Sequence, residues 1–489
     1  MSRFRARDII EWTSTNKMPF IKGKQTSVLP KAELLPAGLE KLEFSGLSTD
    51  SRSLKAGEVF LALVGDNFDG HSFLHKAAEI GAGMLIVQAG HPTLNRLAKG
   101  PVVLEVPDTL LALQQIACGY RHQLRAKVIA VTGSVGKTST REMISCCLSA
   151  GGKVHQTAAN LNNEIGLPQT LLAANQEHDF VVVEMGMRGL GQIELLSMIA
   201  CPDISVITNI GWSHLELLGS RENILKAKTE ITAGMTEDSI LIINRDDEML
   251  TNWQLSGNSP VKTACYSLSS DIVDTESTNI RAENIVSGSE GSSFEAVTSV
   301  SRHKVNIGLP GSHHISNALA GLLAAQLAGV DMSAAAEKII DYKNTGKRQN
   351  IIRLNNICIM DDTYNAAPES MITAIRTIAA MAGEHRIIGV LAGMLELGSY
   401  SAAAHQLVGR EAVEVGFSEL CLYGEFSAEI EKGARQSSSD IIINNYDNHE
   451  KLLSYLKSII KPGDYILVKG SRAFAMDKIT AELEAYLEE

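Results

Sequence analysis

The chain has 489 residues, 45% of them hydrophobic and 20% charged, the balance of a soluble globular protein. At roughly 150 residues per domain, this length predicts about three domains. Forty-four basic residues against 56 acidic ones leave a net charge of −12, which argues against a nucleic-acid backbone as the main partner but not against a small phosphorylated ligand. The seven cysteines are scattered and contain no C-x-x-C pair, so neither a disulfide framework nor a zinc site is expected, and a reducing cytoplasm is the simplest home. The segment Met1–Glu11 has no long apolar stretch of the signal-peptide kind. The most apolar helical run, Leu319–Val330, falls short of the roughly 20 residues that span a bilayer, so no membrane insertion is expected.

In chain order, the first hundred residues read as a small mixed domain. Short apolar strands at 59–63 and 84–87 flank a helical stretch, Ser72–Gly81. A helix over Thr109–Leu124 leads into the apolar run Val128–Val131, which ends in the glycine loop Thr132-Gly133-Ser134-Val135-Gly136-Lys137-Thr138. Phe180–Val183, Ile204–Ile207 and Ser239–Ile243 read as buried parallel strands. The Ser-, Thr-, Asn- and Gly-rich stretch Leu255–Gly291 reads as loops and edge strands, and His314–Leu327 as a helix. After the polar link at 343–347, strands at 357–360, 387–391, 420–423 and 465–468 alternate with helices, giving a second doubly wound sheet. The fold class is therefore α/β in three domains, with expected bounds 1–107, 108–342 and 343–489.

Several residues stand out chemically. Backbone N–H groups in the loop at 132–138, followed by a helix N-terminus, suit phosphate oxygens; Lys137 would reach the outer phosphates and the Thr138 hydroxyl a magnesium ion. Val131 stands where the common P-loop pattern has its first glycine. Glu184 ends a buried strand, where a carboxylate suits magnesium or simply faces solvent. Taken alone, His214 reads as an ordinary loop histidine and Lys228 as a solvated lysine on a polar helix. The segment Gly311–Asn317 reads as a helix cap in which Ser316 and Asn317 are merely polar, and Lys469 and Arg472 as surface charges or, after a strand end, as anion contacts.

The variant loop T-G-x-x-G-K-[ST] resembles that of the Mur ligases and their folylpolyglutamate synthase relatives. Thr49-Asp50-Ser51-Arg52 and Asp69-Gly70-His71-Ser72-Phe73 resemble the family's UDP-sugar domain. Asn160-Leu161-Asn162-Asn163-Glu164-Ile165-Gly166, Asp361–Pro368, Met394-Leu395-Glu396-Leu397-Gly398 and Val468–Arg472 resemble the D-alanyl-D-alanine-adding branch. The resemblance implies ATP bound by Thr132–Ser139, Asn317, Arg348 and Asp362. It implies two magnesium ions at Thr138, Glu184, His214 and Lys228, the last carboxylated to a carbamate, with Lys137, Glu184, His214 and Lys228 carrying the chemistry. Substrate contacts fall on Ser51, Arg52, His71, Asn162, Asn163, Asn365, Lys469 and Arg472. The implied substrates are UDP-N-acetylmuramoyl-tripeptide and D-alanyl-D-alanine, and the implied assembly is a monomer. Four positions depart from the pattern: His314 for the first asparagine of G-x-H-N-x-x-N, Ala367 for an asparagine, and Ala392-Gly393 for Gly-Asp. A ligase for another amine, a non-catalytic nucleotide-binding relative and an ATPase driving conformational work are the competing readings.

Overall fold

A computed structural model of the chain describes residues 4–14, 41–65, 68–93, 101–269, 279–344 and 346–488. A small parallel sheet comes first, in the order β1 (Leu47–Ser48), β2 (Val59–Leu61), β3 (Met84–Gln88) and β4 (Val102–Val106). Its alternating side chains supply two cores. Val59, Leu61, Met84 and Ile86 face one way, while Phe60, Leu85 and Val87 face the other. The first set is continuous with Leu113, Ile116 and Ala117 of the helix α1 (Thr109–Arg121), so this sheet shares a core with the next unit. Asp108 caps α1, its carboxylate accepting from the N–H groups of Leu110 and Leu111.

The second sheet has nine strands: β5 (Lys127–Thr132), β6 (Val154–Gln156), β7 (Phe180–Glu184), β8 (Ile204–Ile207), β9 (Ile240–Asn244), β10 (Lys262–Ser267), β11 (Ile280–Gly288), β12 (Gly291–Val297) and β13 (Arg302–Ile307). Their spatial order is β6-β7-β5-β8-β9-β10-β11-β12-β13, parallel as far as β11 and antiparallel beyond it. β5 lies between β7 and β8 and is covered on both faces. Val128 and Ala130 belong to one core, Ile129 and Val131 to the other, which explains its unbroken apolar run. The 17-residue helix Ser312–Ala328 closes the second face, burying Leu319, Leu322 and Leu323 completely; each such leucine contributes about 1.5–3 kcal/mol.

The third sheet follows the order β14 (Asn350–Leu354), β15 (Ile357–Asp362), β19 (Tyr465–Lys469), β16 (Ile387–Ala392), β17 (Glu419–Tyr423) and β18 (Ile442–Tyr446), with β14 antiparallel and the others parallel.

The region read as loops and edge strands needs correction. β10 is an internal parallel strand, paired with β9 on one side and β11 on the other. The sequence Lys-Thr-Ala-Cys-Tyr-Ser hides it, because polar residues interrupt what the fold buries. Residues 270–278 of that stretch lie outside those described. No helix among the described residues is long and apolar enough to cross a membrane.

Candidate active site

The carboxyl ends of β5, β7 and β8 meet at one point, the place where an open parallel sheet receives its ligands. Gly133 has a φ of +148°, and a Cβ there would sit 1.9 Å from the Thr208 hydroxyl, so only glycine fits the bend. The residues after β8 hold the loop rigid. Asn209 Oδ1 accepts from the Val135 N–H at 3.0 Å, and its Nδ2 donates to the Val135 carbonyl at 3.0 Å. The Ser134 N–H donates to the Asn209 carbonyl, also at 3.0 Å. Gly136, with a φ of +83°, begins the helix α2 (Lys137–Leu148), whose first N–H groups open toward the loop. The Lys137 ammonium curls over it, donating to the carbonyls of Gly133 at 2.8 Å and Ser134 at 3.1 Å.

Glu184, at the end of β7, is the acidic centre of this cleft and is buried. The Thr138 hydroxyl donates to its Oε2 at 2.8 Å and Asn162 Nδ2 to its Oε1 at 2.8 Å. Arg141 Nη1 lies 3.4 Å from Oε2, an approach that motif reading missed because this arginine lies one helical turn beyond Thr138. Asn162 thus reaches the carboxylate, whereas its neighbour Asn163 closes the turn before the helix Gly166–Ala173, accepting from the N–H groups of Ile165 and Gly166.

Lys228 overturns the solvated reading of its helix. It sits on Arg221–Thr229, is completely buried, and its Nζ has no hydrogen-bond partner. Burial drives its pKa well below that of an ordinary lysine, with the nearby Lys137 charge acting the same way and Glu184 and Glu230 opposing. A neutral amine in such a place is nucleophilic. His214 stands close by, in a left-handed conformation (φ +64°), its Nδ1 2.6 Å from Glu396 Oε2. Burial, then the charges of Lys228 and Lys137, lowers its pKa, while Glu396 pulls the other way.

Glu396 belongs to the third unit, which contacts the residues after β8 at further points. Trp212 stacks on Tyr400 with ring centroids 4.0 Å apart, and its backbone N–H donates to Glu369 at 2.9 Å. Arg348 approaches Lys137 closely enough to depress its pKa, after burial, which is the larger cause. The Arg348 guanidinium lies 3.7 Å from the centre of the Tyr364 ring, and Arg472 lies 5.7 Å from it. Gly311 is the N-cap of the helix Ser312–Ala328, and Asn317 is more than a polar residue within it: its Oδ1 accepts from the Thr140 hydroxyl at 3.0 Å, joining two helices behind the loop.

Other expected ligand contacts are engaged within the protein. Lys469 is no surface charge: it is buried, with Nζ 2.6 Å from Asp362 Oδ2 and 3.0 Å from the Asn365 carbonyl. His71 is also buried. Its Nδ1 lies 2.7 Å from Asp69 and its Nε2 accepts from the Gln88 N–H, so the ring anchors Asp69 and has no nitrogen left to offer a sugar. Arg52 is exposed and forms a two-point contact with Asp50. The turn carrying it touches the second unit where Gln169 donates to Thr49 at 2.7 Å. Ser51 is buried in the same turn.

Three family models match in sequence: Mur ligase family, catalytic domain, over 43–121; Mur ligase middle domain over 131–325; and Mur ligase, glutamate ligase domain, over 347–472. UDP-N-acetylmuramoyl-tripeptide--D-alanyl-D-alanine ligase of Bacillus subtilis is 35% identical over 461 residues, covering 94% of this chain and 97% of its own. The chain belongs to the Mur ligase family. The Escherichia coli enzyme of the same name is 34% identical across 91% of this chain and 94% of its own. Crystal structure I of MurF from Acinetobacter baumannii superposes with a TM-score of 0.82 at 27% identity, covering 99% of both chains. The MurF ligase of Thermotoga maritima, solved in complex with ADP, gives 0.77 at 27% identity over 91% of this chain and 98% of its own. Within this Mur ligase the loop, the Glu184 carboxylate and the Lys228 amine share one cleft, roofed by Glu396 and Arg348.

Proposed function

We propose that the chain is the ATP-dependent ligase that joins D-alanyl-D-alanine to UDP-N-acetylmuramoyl-tripeptide in cytoplasmic peptidoglycan precursor synthesis, yielding ADP and phosphate. The observation that carries this reading is the cleft itself: a phosphate loop, a buried carboxylate held by Thr138, and a buried lysine without a partner. Residues 1–107 would bind the UDP-muramoyl peptide, 108–342 ATP, and 343–489 the amine while covering the nucleotide.

The chemistry follows from the weakness of a carboxylate as an electrophile. Its oxygen attacks the γ-phosphate, giving an acyl phosphate and ADP; the amine then attacks the acyl carbon and phosphate leaves. Lys137 lies where the outer phosphates of ATP would rest and offsets the repulsion between two approaching anions. Asn162 fixes the rotamer of Glu184, and Glu396 fixes the imidazole of His214. Residues Thr138, Glu184, His214 and a carboxylated Lys228 would hold two magnesium ions, which polarise the phosphoryl oxygens and neutralise charge that builds up there. The orphaned Lys228 nitrogen fits this donor set: as a carbamate it becomes an oxygen ligand, whereas an ammonium beside the metal would be repelled. Arg348 would close on the nucleotide and exclude water from the acyl phosphate.

Phosphate release from ATP and magnesium is the test, with the two substrates added singly and together. Release that needs both, with a product heavier by the dipeptide residue, is expected. Release without any acceptor would instead identify an uncoupled ATPase.

A further inference from the structure

A second constellation lies at the opposite end of the central sheet. Cys118 and His122 stand four residues apart at the end of α1, on one face of that helix. Cys201 follows the helix Gln192–Ala200, in a left-handed conformation (φ +40°) that a non-glycine side chain adopts only where its surroundings hold it. One sulfur from each cysteine and one ring nitrogen of His122 all lie within 4.8 Å of one another. Both thiols point at a single oxygen, the Met198 carbonyl, at 3.8 Å for Cys118 and 3.2 Å for Cys201.

The backbone under this cluster is braced. Arg121 donates to the carbonyls of Ala200 at 2.9 Å and Cys201 at 3.1 Å, and to Asp203 at 2.9 Å. Asp203 in turn accepts from the Val128 N–H at 2.7 Å, tying both helix ends to β5 and β8. The Arg121 charge is thereby met by Asp203 and leaves the local balance to the thiols. The six residues of β5 separate this point from the phosphate loop by roughly 20 Å. Reading Cys spacing for C-x-x-C pairs could not find it, since the third ligand comes from 79 residues after His122 in another helix.

We infer that Cys118, His122 and Cys201 form a zinc site, distinct from the active cleft, that clamps the end of α1 to the end of the helix Gln192–Ala200. Two thiols and an imidazole select zinc over magnesium, calcium or manganese, which prefer oxygen. Binding releases two thiol protons to solvent as two S–metal bonds form. Two thiolates balance the divalent charge, and His122, on the exposed side, leaves the fourth position to water.

Cobalt(II) in place of zinc gives a direct readout, titrated into the full-length protein with a phosphine reductant and excess magnesium. A thiolate-to-cobalt charge-transfer band that saturates at one equivalent and is bleached by zinc is expected. Cys118→Ala and Cys201→Ala should each abolish or sharply weaken that band. His122→Ala, an exposed change that leaves packing alone, should weaken zinc at least tenfold in competition with a chromophoric chelator, as even loss of an outer-shell partner costs roughly that much. Circular dichroism of each variant separates lost binding from lost folding. No charge-transfer band in the wild type, or a band unchanged in both cysteine variants, would overturn the site.

Discussion

Lys228 in the central cleft and Lys469 in the third unit are both buried almost completely, yet their surroundings are opposite. Lys469 is met by the Asp362 carboxylate at 2.6 Å and by the Asn365 carbonyl, so its charge is compensated where it stands. Lys228 has no hydrogen-bond partner, and burial together with the Lys137 charge presses it toward the neutral amine. A buried charge with its counter-ion holds structure together; a buried amine without one is a cost that folding alone does not explain. Under the proposed function Lys469 would serve architecture and Lys228 chemistry, and replacing each with methionine, which keeps the apolar stem, tests that division.

The largest effect is expected from Lys228→Met. Ligation should fall by at least about 10²–10³-fold, the usual cost of removing one group that stabilises transition-state charge. Stability should be unchanged or slightly raised, because an unpartnered polar atom has been removed from the interior. Steady-state phosphate release and a thermal melt of the same sample check both halves. An active Lys228→Met enzyme would break the comparison at its more consequential end.

Lys469→Met should behave in reverse. Leaving Asp362 buried without its cation should cost about 3–5 kcal/mol, measured by urea unfolding. The double variant with Asp362→Asn should recover much of that loss, since no charge is then stranded.

How far the site was legible in the sequence follows from the same contrast. The glycine loop, the strand before it and Glu184 were readable because local pattern determines them: a short apolar run, a tight turn and a strand end. The outlines of the second and third sheets were readable for the same reason, although β6, β12, β13, β14 and β18 were not identified and β10 was misread. Lys228 was not. Its neighbours Lys226 and Glu230 describe a polar helix, and only the packing of distant elements buries the one face that carries it. Asn162 and Asn163 look interchangeable on paper, yet one reaches Glu184 and the other closes the turn before a helix. His71 sits in a recognisable motif, but its two ring nitrogens are engaged by Asp69 and by a strand 17 residues away. Family pattern marked each of these positions as important; what each side chain touches depended on contacts that no local window contains.

The smallest expected effect lies between the two lysines, at His313. This ring is half-buried at the start of the helix Ser312–Ala328, and burial lowers its pKa to about 4, although the nearby Asp362 charge acts to raise it. The unfolded chain would titrate near the ordinary 6.5. Above pH 6.5 the histidine is neutral in both states and its contribution to stability is constant. As the pH falls from about 6.5 toward about 4, the unfolded state takes up a proton that the folded state refuses, so stability declines across that window. The full shift corresponds to about 3 kcal/mol, and partial solvent access reduces the expected loss to roughly 1–2 kcal/mol. His313→Gln should flatten the urea-midpoint profile between those pH values and leave it unchanged above them. Lys469→Met should lessen the slope, because the Lys469 charge also lowers the His313 pKa, and its removal lets the folded state accept the proton more readily. A slope that His313→Gln leaves intact would place the acid sensitivity on other groups, His314 first among them, since burial also holds its pKa well below the ordinary imidazole value.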